Sequence, residues 1–238
     1  MTKLHIVHMY PNEMNTYGDR GNLLTLKMRA EWHGLEPVVH YYHPGGTFPG
    51  HVDLVIGGGG QDSAQADIQA DVLRIGDLLY GYVDKGTPML MVCGMFQLFG
   101  KQFVTADGDT IHGLGIFDAE TSGEPKRLVG NVAVETAEFG VLYGFENHSG
   151  KTHLGEKQPP LGTVIRGSGN NGQDKTEGAR TNNVIGTYLH GSLLPNNPVL
   201  ADWLIGTALR ITKREFVPKP IDDTFAIQVR RNAAHRSY

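Results

Sequence analysis

A chain of 238 residues with 21 lysines and arginines against 25 acidic residues carries a formal net charge of −4. It is long enough for a full hydrophobic core and offers no basic excess for nucleic acid or an anionic membrane. The single cysteine excludes an internal disulfide, no apolar run approaches the about eighteen residues of a membrane span, and the N-terminus MTKLHIVHMYP is too polar for a signal peptide. These features predict a soluble cytoplasmic protein. Glycine, at 32 residues, is roughly twice its usual share of about 7 %. It is not periodic, so it marks tight backbone positions rather than a linker.

Residues 4–9 read as a first strand and 12–20 as a polar loop. Residues 21–32 read as a helix stopped at Gly34, and 38–42 as a second strand. The apolar run 52–56, ending at Gly57, suits a strand buried on both faces. Ile68, Val72, Ile75, Leu79 and Val83 recur at three- and four-residue steps, which predicts one amphipathic helix over 67–83. Met89–Val92 reads as another buried strand. The alternation predicts an α/β fold, with a mostly parallel central sheet flanked by helices.

The second half is less regular. Gly162–Arg166 and residues 130–136 read as short strands of a second sheet or an extension of the first, and 184–189 as a strand. The polar stretch 167–181 reads as a mobile loop. Asn197 and Pro198 open a final helix, with asparagine as N-cap and proline in the first turn. One domain over 1–212 is expected. A tail over 213–238, with the basic residues Arg230, Arg231 and Arg236, is expected to be solvated and partly disordered.

If residues 89–92 are a strand and a helix opens at Gly94, Cys93 sits on the turn between them. Such an elbow holds a nucleophile out of the sheet, at a helix N-terminus that favours a thiolate. The Gly94 N–H would then face an oxyanion. An inert buried thiol fits the stretch equally well. Among eleven histidines, His190 has the most informative setting, at the end of an apolar run, where α/β sites gather. His40, His43, His148 and His153 read as surface or loop histidines. No HExxH or CxxC pattern occurs, so no metal is expected. The glycines 57–60 follow a buried strand. Without a Walker lysine or GxGxxG spacing they read as a tight turn, one amide of which could serve as a second oxyanion donor. Arg127 could clamp a carboxylate, although an ordinary exposed arginine is the commoner case.

Together, GGGGQD, VCGMFQLFG, KRLVGN, GFENHSG and IGTYLHGSLLPNNPVLADWLI resemble the class I glutamine amidotransferases of the cobyric-acid-synthase (CobB/CobQ) type. The resemblance covers residues 4–212. Within that family, PNEMNTYGDRGN and the stand-alone length resemble the glutaminase subunits of lipid II isoglutaminyl synthases, which work with a MurT-like Mur-ligase subunit. The resemblance implies a flavodoxin-like fold, L-glutamine as substrate, no cofactor, and a heterodimer that passes ammonia to an ATP-dependent ligase. It implies Cys93 as nucleophile and His190 as general base. Arg127 would bind the substrate, Gly60 and Gly94 would form the oxyanion hole, and Gln97 would follow the nucleophile on its helix. Two positions depart from the family pattern. Met91 and Met95 replace glycines that flank the cysteine in many relatives. Ser192 stands where many carry a glutamate completing a triad, which predicts either a Cys–His dyad or an acid from elsewhere, supplied or positioned by the partner.

Overall fold

The computed structural model describes residues 1–190 and 192–235, with side chains as far as residue 230. Gly191, residues 236–238 and the Arg231 side chain lie outside the described residues. The chain forms β1 (Lys3–Met9), α1 (Arg20–Trp32), β2 (Glu36–Tyr42), β3 (Leu54–Gly57), α2 (Asp62–Arg74), α3 (Gly76–Asp84), β4 (Met89–Val92) and α4 (Gly94–Phe99). There follow β5 (Gln102–Val104), β6 (Thr110–His112), β7 (Ala119–Thr136), β8 (Gly140–Leu154), β9 (Gly162–Arg166), β10 (Thr176–Glu177), β11 (Ala179–Thr181) and β12 (Val184–Thr187). Three helices close the chain: α5 (Leu193–Asn196), α6 (Pro198–Ile211) and α7 (Thr224–His235).

The first sheet has the order β11-β12-β4-β3-β1-β2, parallel except for the antiparallel edge strand β11. Every residue of β3, β4 and β12 is buried, as expected of strands covered on both faces. The helices α1 and α6 pack together, α6 also against β1 and β3, while α4 lies against β4 and β12 and contacts α2. The second sheet runs β10-β9-β7-β5-β6, with β8 paired to β7. Its long β7–β8 hairpin breaks register between Gly123 and Leu128. A register break of this kind bends a strand and re-aims the side chains within it.

The structure departs from the expected reading at several points. The helix over 67–83 is two helices, beginning earlier at Asp62 and broken at Ile75 (φ −95°, ψ 8°). Gly76 follows the break, and a Cβ there would come within 3.0 Å of Leu114, so close packing replaces helix continuity. The apolar periodicity survives, because all five of its residues are buried. Periodicity alone cannot see a break that keeps the buried face aligned.

The stretch 167–181 is built rather than loose. Asn170 is buried; its Oδ1 accepts the Gly178 N–H at 2.8 Å and its Nδ2 donates to the Gly178 carbonyl at 2.9 Å. Asn171 is buried too and donates to the Thr152 carbonyl at 3.1 Å. Polar side chains here replace the ladder bonds that composition associates with strands.

Asn197 and Pro198 do stand at the N-cap and in the first turn of α6, but the Asn197 side chain makes no capping hydrogen bond. Its side chain exchanges hydrogen bonds with the Tyr143 backbone, at 2.9 and 2.7 Å, tying α6 to β8. Beyond residue 212 the side chains described, through residue 230, are exposed or half-buried, as expected of a solvated tail, yet the segment is tethered. Asp223 accepts from Arg29 at 2.7 Å, Lys219 N–H donates to His33 Nδ1 at 3.1 Å, and Arg230 donates to the Val141 carbonyl at 3.0 Å. The segment ends in α7.

Candidate active site

Cys93 follows β4 directly, with φ 51° and ψ −105°, a conformation strained for a residue with a side chain. Its N–H donates to the Thr187 carbonyl at 2.8 Å, and its own carbonyl accepts the Gln97 N–H at 2.9 Å. The elbow is therefore pinned to β12 on one side and to α4 on the other. Met91 and Met95 are fully buried, and they answer the missing glycines. A Cβ on Gly57 of β3 would stand 2.8 Å from Met95 Cγ and 3.2 Å from Met91 Sδ. The space that flanking glycines would provide comes from a glycine on the neighbouring strand.

His190 is completely buried and held by reciprocal backbone hydrogen bonds with Phe145 of β8, at 2.7 and 3.2 Å. The Tyr17 ring meets the imidazole edge-on, centroids 5.0 Å apart. Neither ring nitrogen has a hydrogen-bond partner among the described residues. Nδ1 stands 3.7 Å from Asp19 Oδ2, an ion-pair contact too long for a hydrogen bond. Asp19 lies just before α1, in the loop that the first sheet delivers after β1, and is buried. Its Oδ2 accepts the Gly59 N–H at 2.6 Å, while Oδ1 is buried and unpartnered. Burial alone would push the His190 imidazole down. The neighbouring Cys93 and Asp19 outweigh burial and hold it up to about 10.

Gly59 is where the three groups converge. A Cβ there would lie 2.9 Å from His190 Cε1 and 3.2 Å from both Asp19 Oδ2 and Cys93 Cβ. The Thr16 N–H donates to the Gly59 carbonyl at 2.9 Å, which clamps the 10–19 loop onto the glycine run. Gly60 belongs to the same run. A Cβ on Gly94 would lie 3.0 Å from Gly60 N, so the Gly60 amide packs against the residue that follows Cys93. Neither the Gly60 nor the Gly94 N–H has a partner among the described residues.

Beside Cys93 opens a cavity of about 380 Å³, lined in part by Tyr17, Gly60, Asp62, Gln97, Arg127 and Asn147. Its size suits a small metabolite. Arg127 reaches it from the register break in β7. Its Nε donates to Asn147 Oδ1 at 2.8 Å and one Nη to the Asn147 carbonyl at 2.9 Å, with Tyr17 OH at 3.3 Å. The second Nη has no hydrogen bond among the described residues. Asp62, at the start of α2, is the one carboxylate among the described lining residues.

The CobB/CobQ-like glutamine amidotransferase domain matches this sequence over residues 5–198. The chain belongs to that family. Two curated relatives are similar over most of their length, both described as the GatD subunit of a glutamine-hydrolysing lipid II isoglutaminyl synthase. The one from Staphylococcus aureus is 37% identical over 97% of this chain and 95% of its own. The one from Streptococcus pneumoniae is 40% identical over 87% of this chain and 81% of its own. A probable cobyric acid synthase from Methanothermobacter thermautotrophicus is 36% identical over 44% of this chain but only 23% of its own. A chain of the PurLQS structure from Thermotoga maritima superposes with a TM-score of 0.62 at 14% identity, over 89% of this chain and 100% of that one. At that identity the likeness concerns the fold alone.

For a CobB/CobQ-like amidotransferase, the sequence-derived residues Cys93, His190, Arg127, Gly60, Gly94 and Gln97 all come together at this one site. The Gln97 side chain lines the cavity but is fully engaged. Its Oε1 accepts from Gln65 at 2.9 Å and its Nε2 donates to Tyr188 OH at 3.0 Å. His148 is no surface histidine. It is buried, its ring stacks on Tyr188 at 3.7 Å, and burial pushes it down to about 3. Sequence reasoning misses Asp19, Tyr17, Gly59 and Asp62. PNEMNTYGDRGN carries the first two, read there only as a family marker, and no spacing rule ties Asp19 to a histidine 171 positions later. Among the described residues no group of three or more His, Cys, Asp or Glu side chains could hold a metal ion, and no helix is long and apolar enough to cross a membrane.

Proposed function

We propose that this chain is the glutaminase subunit of a lipid II isoglutaminyl synthase and hydrolyses L-glutamine through a thioester on Cys93. The observation that carries the reading is the convergence at Gly59. Cys93 Cβ and His190 Cε1, which follow neighbouring strands, lie within 3.2 Å of where a Cβ on Gly59 would stand, beside a cavity lined by Cys93 and Arg127.

Glutamine is a zwitterion with an amide at its far end. Arg127 takes the α-carboxylate through its open Nη, and Asp62 faces the α-ammonium. The Cys93 thiolate attacks the side-chain amide carbon. The oxyanion is stabilised by the Gly60 and Gly94 N–H groups. The His190 imidazolium donates its proton to the departing nitrogen as the C–N bond breaks, leaving ammonia and a γ-glutamyl thioester. The neutral imidazole then deprotonates a water molecule. That water attacks the thioester, releasing glutamate and regenerating the thiol.

Ammonia passes to a MurT-like ATP-dependent Mur-ligase partner in a heterodimer, which amidates the D-glutamate α-carboxyl of lipid II to D-isoglutamine. This supports a role in peptidoglycan synthesis on the cytoplasmic side. Similarity over 95% of the S. aureus GatD subunit, against 23% of the cobyric acid synthase, favours that assembly over a cobyrinate-type module. Glutamate release from glutamine, with and without the ligase partner, tests the chemistry. Wild type should release it and Cys93→Ala should not. Unchanged release in Cys93→Ala would refute the reading, and a partner-dependent amidated lipid II product would establish the acceptor.

A further inference from the structure

We infer that Asp19 is the acid that positions His190 within this chain, and that Ser192 holds the Asp19 loop in place instead of supplying the acid. This rests on the proposed glutaminase chemistry and specifies how its base is oriented.

Asp19 is the one carboxylate among the described residues within ion-pair distance of His190, at 3.7 Å. A buried carboxylate with an unpartnered oxygen is costly unless it faces a cation. Asp19 Oδ1 is such an atom, and the other oxygen of the same carboxylate, Oδ2, faces the imidazole that is the cation of the thiolate–imidazolium pair. What sets Asp19 apart from the other buried acids is this contact, since no other carboxylate among the described residues pairs with His190. Both oxygens of Glu146 accept backbone N–H groups, from Ser168 at 2.8 Å and Gly169 at 2.9 Å. Glu177 accepts the Tyr188 N–H at 2.7 Å and the Thr187 hydroxyl at 3.0 Å, both on Oε1; its Oε2 is unpartnered too, but burial pushes its carboxyl up to about 7, towards the neutral form. Among the described residues Cys93, the Tyr17 edge and His148 also lie by His190, Arg166 and Arg230 line a cavity with it, and burial keeps His148 neutral at physiological pH. Apo contacts of this kind are often long and tighten when substrate binds.

The Ser192 position explains why the acid can come from elsewhere. Ser192 takes a left-handed backbone (φ 55°, ψ 76°), and its Oγ donates to the Gly18 carbonyl at 2.9 Å. Gly18 immediately precedes Asp19. A Cβ on Gly21 would lie 2.1 Å from Ser192 Oγ, so a larger side chain such as glutamate would collide with the start of α1. The residue that replaces the family's glutamate thus fastens the loop that brings in an aspartate, and the Gly59 N–H fixes that aspartate from the other side.

Asp19→Asn keeps the volume and, through Oδ1, the Gly59 hydrogen bond, and removes only the charge. The full-length protein is assayed alone and with the ligase partner. Two readouts are taken: glutamate release, and the pH dependence of Cys93 alkylation by iodoacetamide. For Asp19→Asn we expect kcat to fall on the order of 10²–10⁴-fold with little change in KM. The alkylation midpoint should move up by about one to three pH units, because the thiolate loses a stabilised imidazolium partner. Ser192→Ala should shift both readouts in the same direction by less. An unmoved alkylation midpoint in a folded Asp19→Asn protein overturns the inference. So does recovery of wild-type kcat when the partner is added, since the partner would then be supplying the acid. If wild type itself releases no glutamate in either form, the glutaminase reading fails, and the alkylation midpoint still decides the Asp19–His190 relation.

Discussion

Replacing Gly59 with alanine probes the active-site geometry with a single methyl group. Gly59 has no positive φ, so its backbone accepts alanine without strain. The obstacle is space. The new carbon would stand 2.9 Å from His190 Cε1 and 3.2 Å from Cys93 Cβ and Asp19 Oδ2, whereas carbon–carbon contacts are optimal at about 3.5–4.0 Å. None of these neighbours is the loose end of a flexible side chain. His190 is pinned to Phe145, Cys93 to Thr187, and Asp19 to the Gly59 amide itself. Overpacking of this kind costs about 1–3 kcal/mol in stability. Displacing the imidazole or thiol by up to an ångström costs on the order of 10²-fold in kcat. Glutamate-release kinetics and thermal unfolding measure the two effects. Gly81→Ala, in α3 with nothing within 4 Å, is the control. It should leave activity intact and be stabilising by about 0.5–1 kcal/mol. A folded Gly59→Ala protein with wild-type kcat would refute the geometry.

Other consequences are testable on the same chain. Arg127→Ala should lower kcat/KM for glutamine by about 10–100-fold, chiefly through KM, as one charge-assisted contact is lost; Arg127→Lys should recover little of it, because lysine lacks the planar fork. Tyr188→Phe should cost about 1–3 kcal/mol in chemical denaturation, since the buried hydroxyl serves both Gln97 and Thr152, at 3.0 and 2.6 Å. Arg29, buried, donates to Asp202 twice at 2.6 Å and to Asp223 at 2.7 Å; Arg29→Met should destabilise by about 2–3 kcal/mol, less than for a fully buried pair because both aspartates are part-exposed. Burial alone would raise the Asp202 carboxyl, but hydrogen bonds from Arg29 and His33 hold it below its usual value. Its contribution is therefore fully present above about pH 4 and lost as pH falls below that, so melting temperature should fall more steeply between pH 4 and 2 in wild type than in Arg29→Met.

The first sheet is readable in the chain because its parallel strands are continuous apolar runs with helices between them, and Cys93 and His190 stand at the ends of two such runs. Arg127 is harder, since its value comes from the register break in β7, which no composition signals. Gly57–Gly60 read as a tight turn, yet their purpose is the close approach of Met91, Met95, Met14, Asp19 and His190, visible only once the strands are neighbours. The acid escapes for a related reason. A search fixed on the residue two after the histidine finds Ser192, while the aspartate is delivered by a loop at the other end of the sequence. The stretch 167–181 misleads because buried asparagines do the work of strand pairing, and a polar composition cannot say whether its hydrogen bonds go to water or to the chain.

The most direct test of the central claim is mass spectrometry of the protein after exposure to a diazoketone analogue of L-glutamine. One covalent adduct is expected, on Cys93, formed more slowly in Asp19→Asn and Arg127→Ala and prevented by excess glutamine. Absence of an adduct, an adduct at another residue, or labelling that glutamine does not compete would contradict the claim.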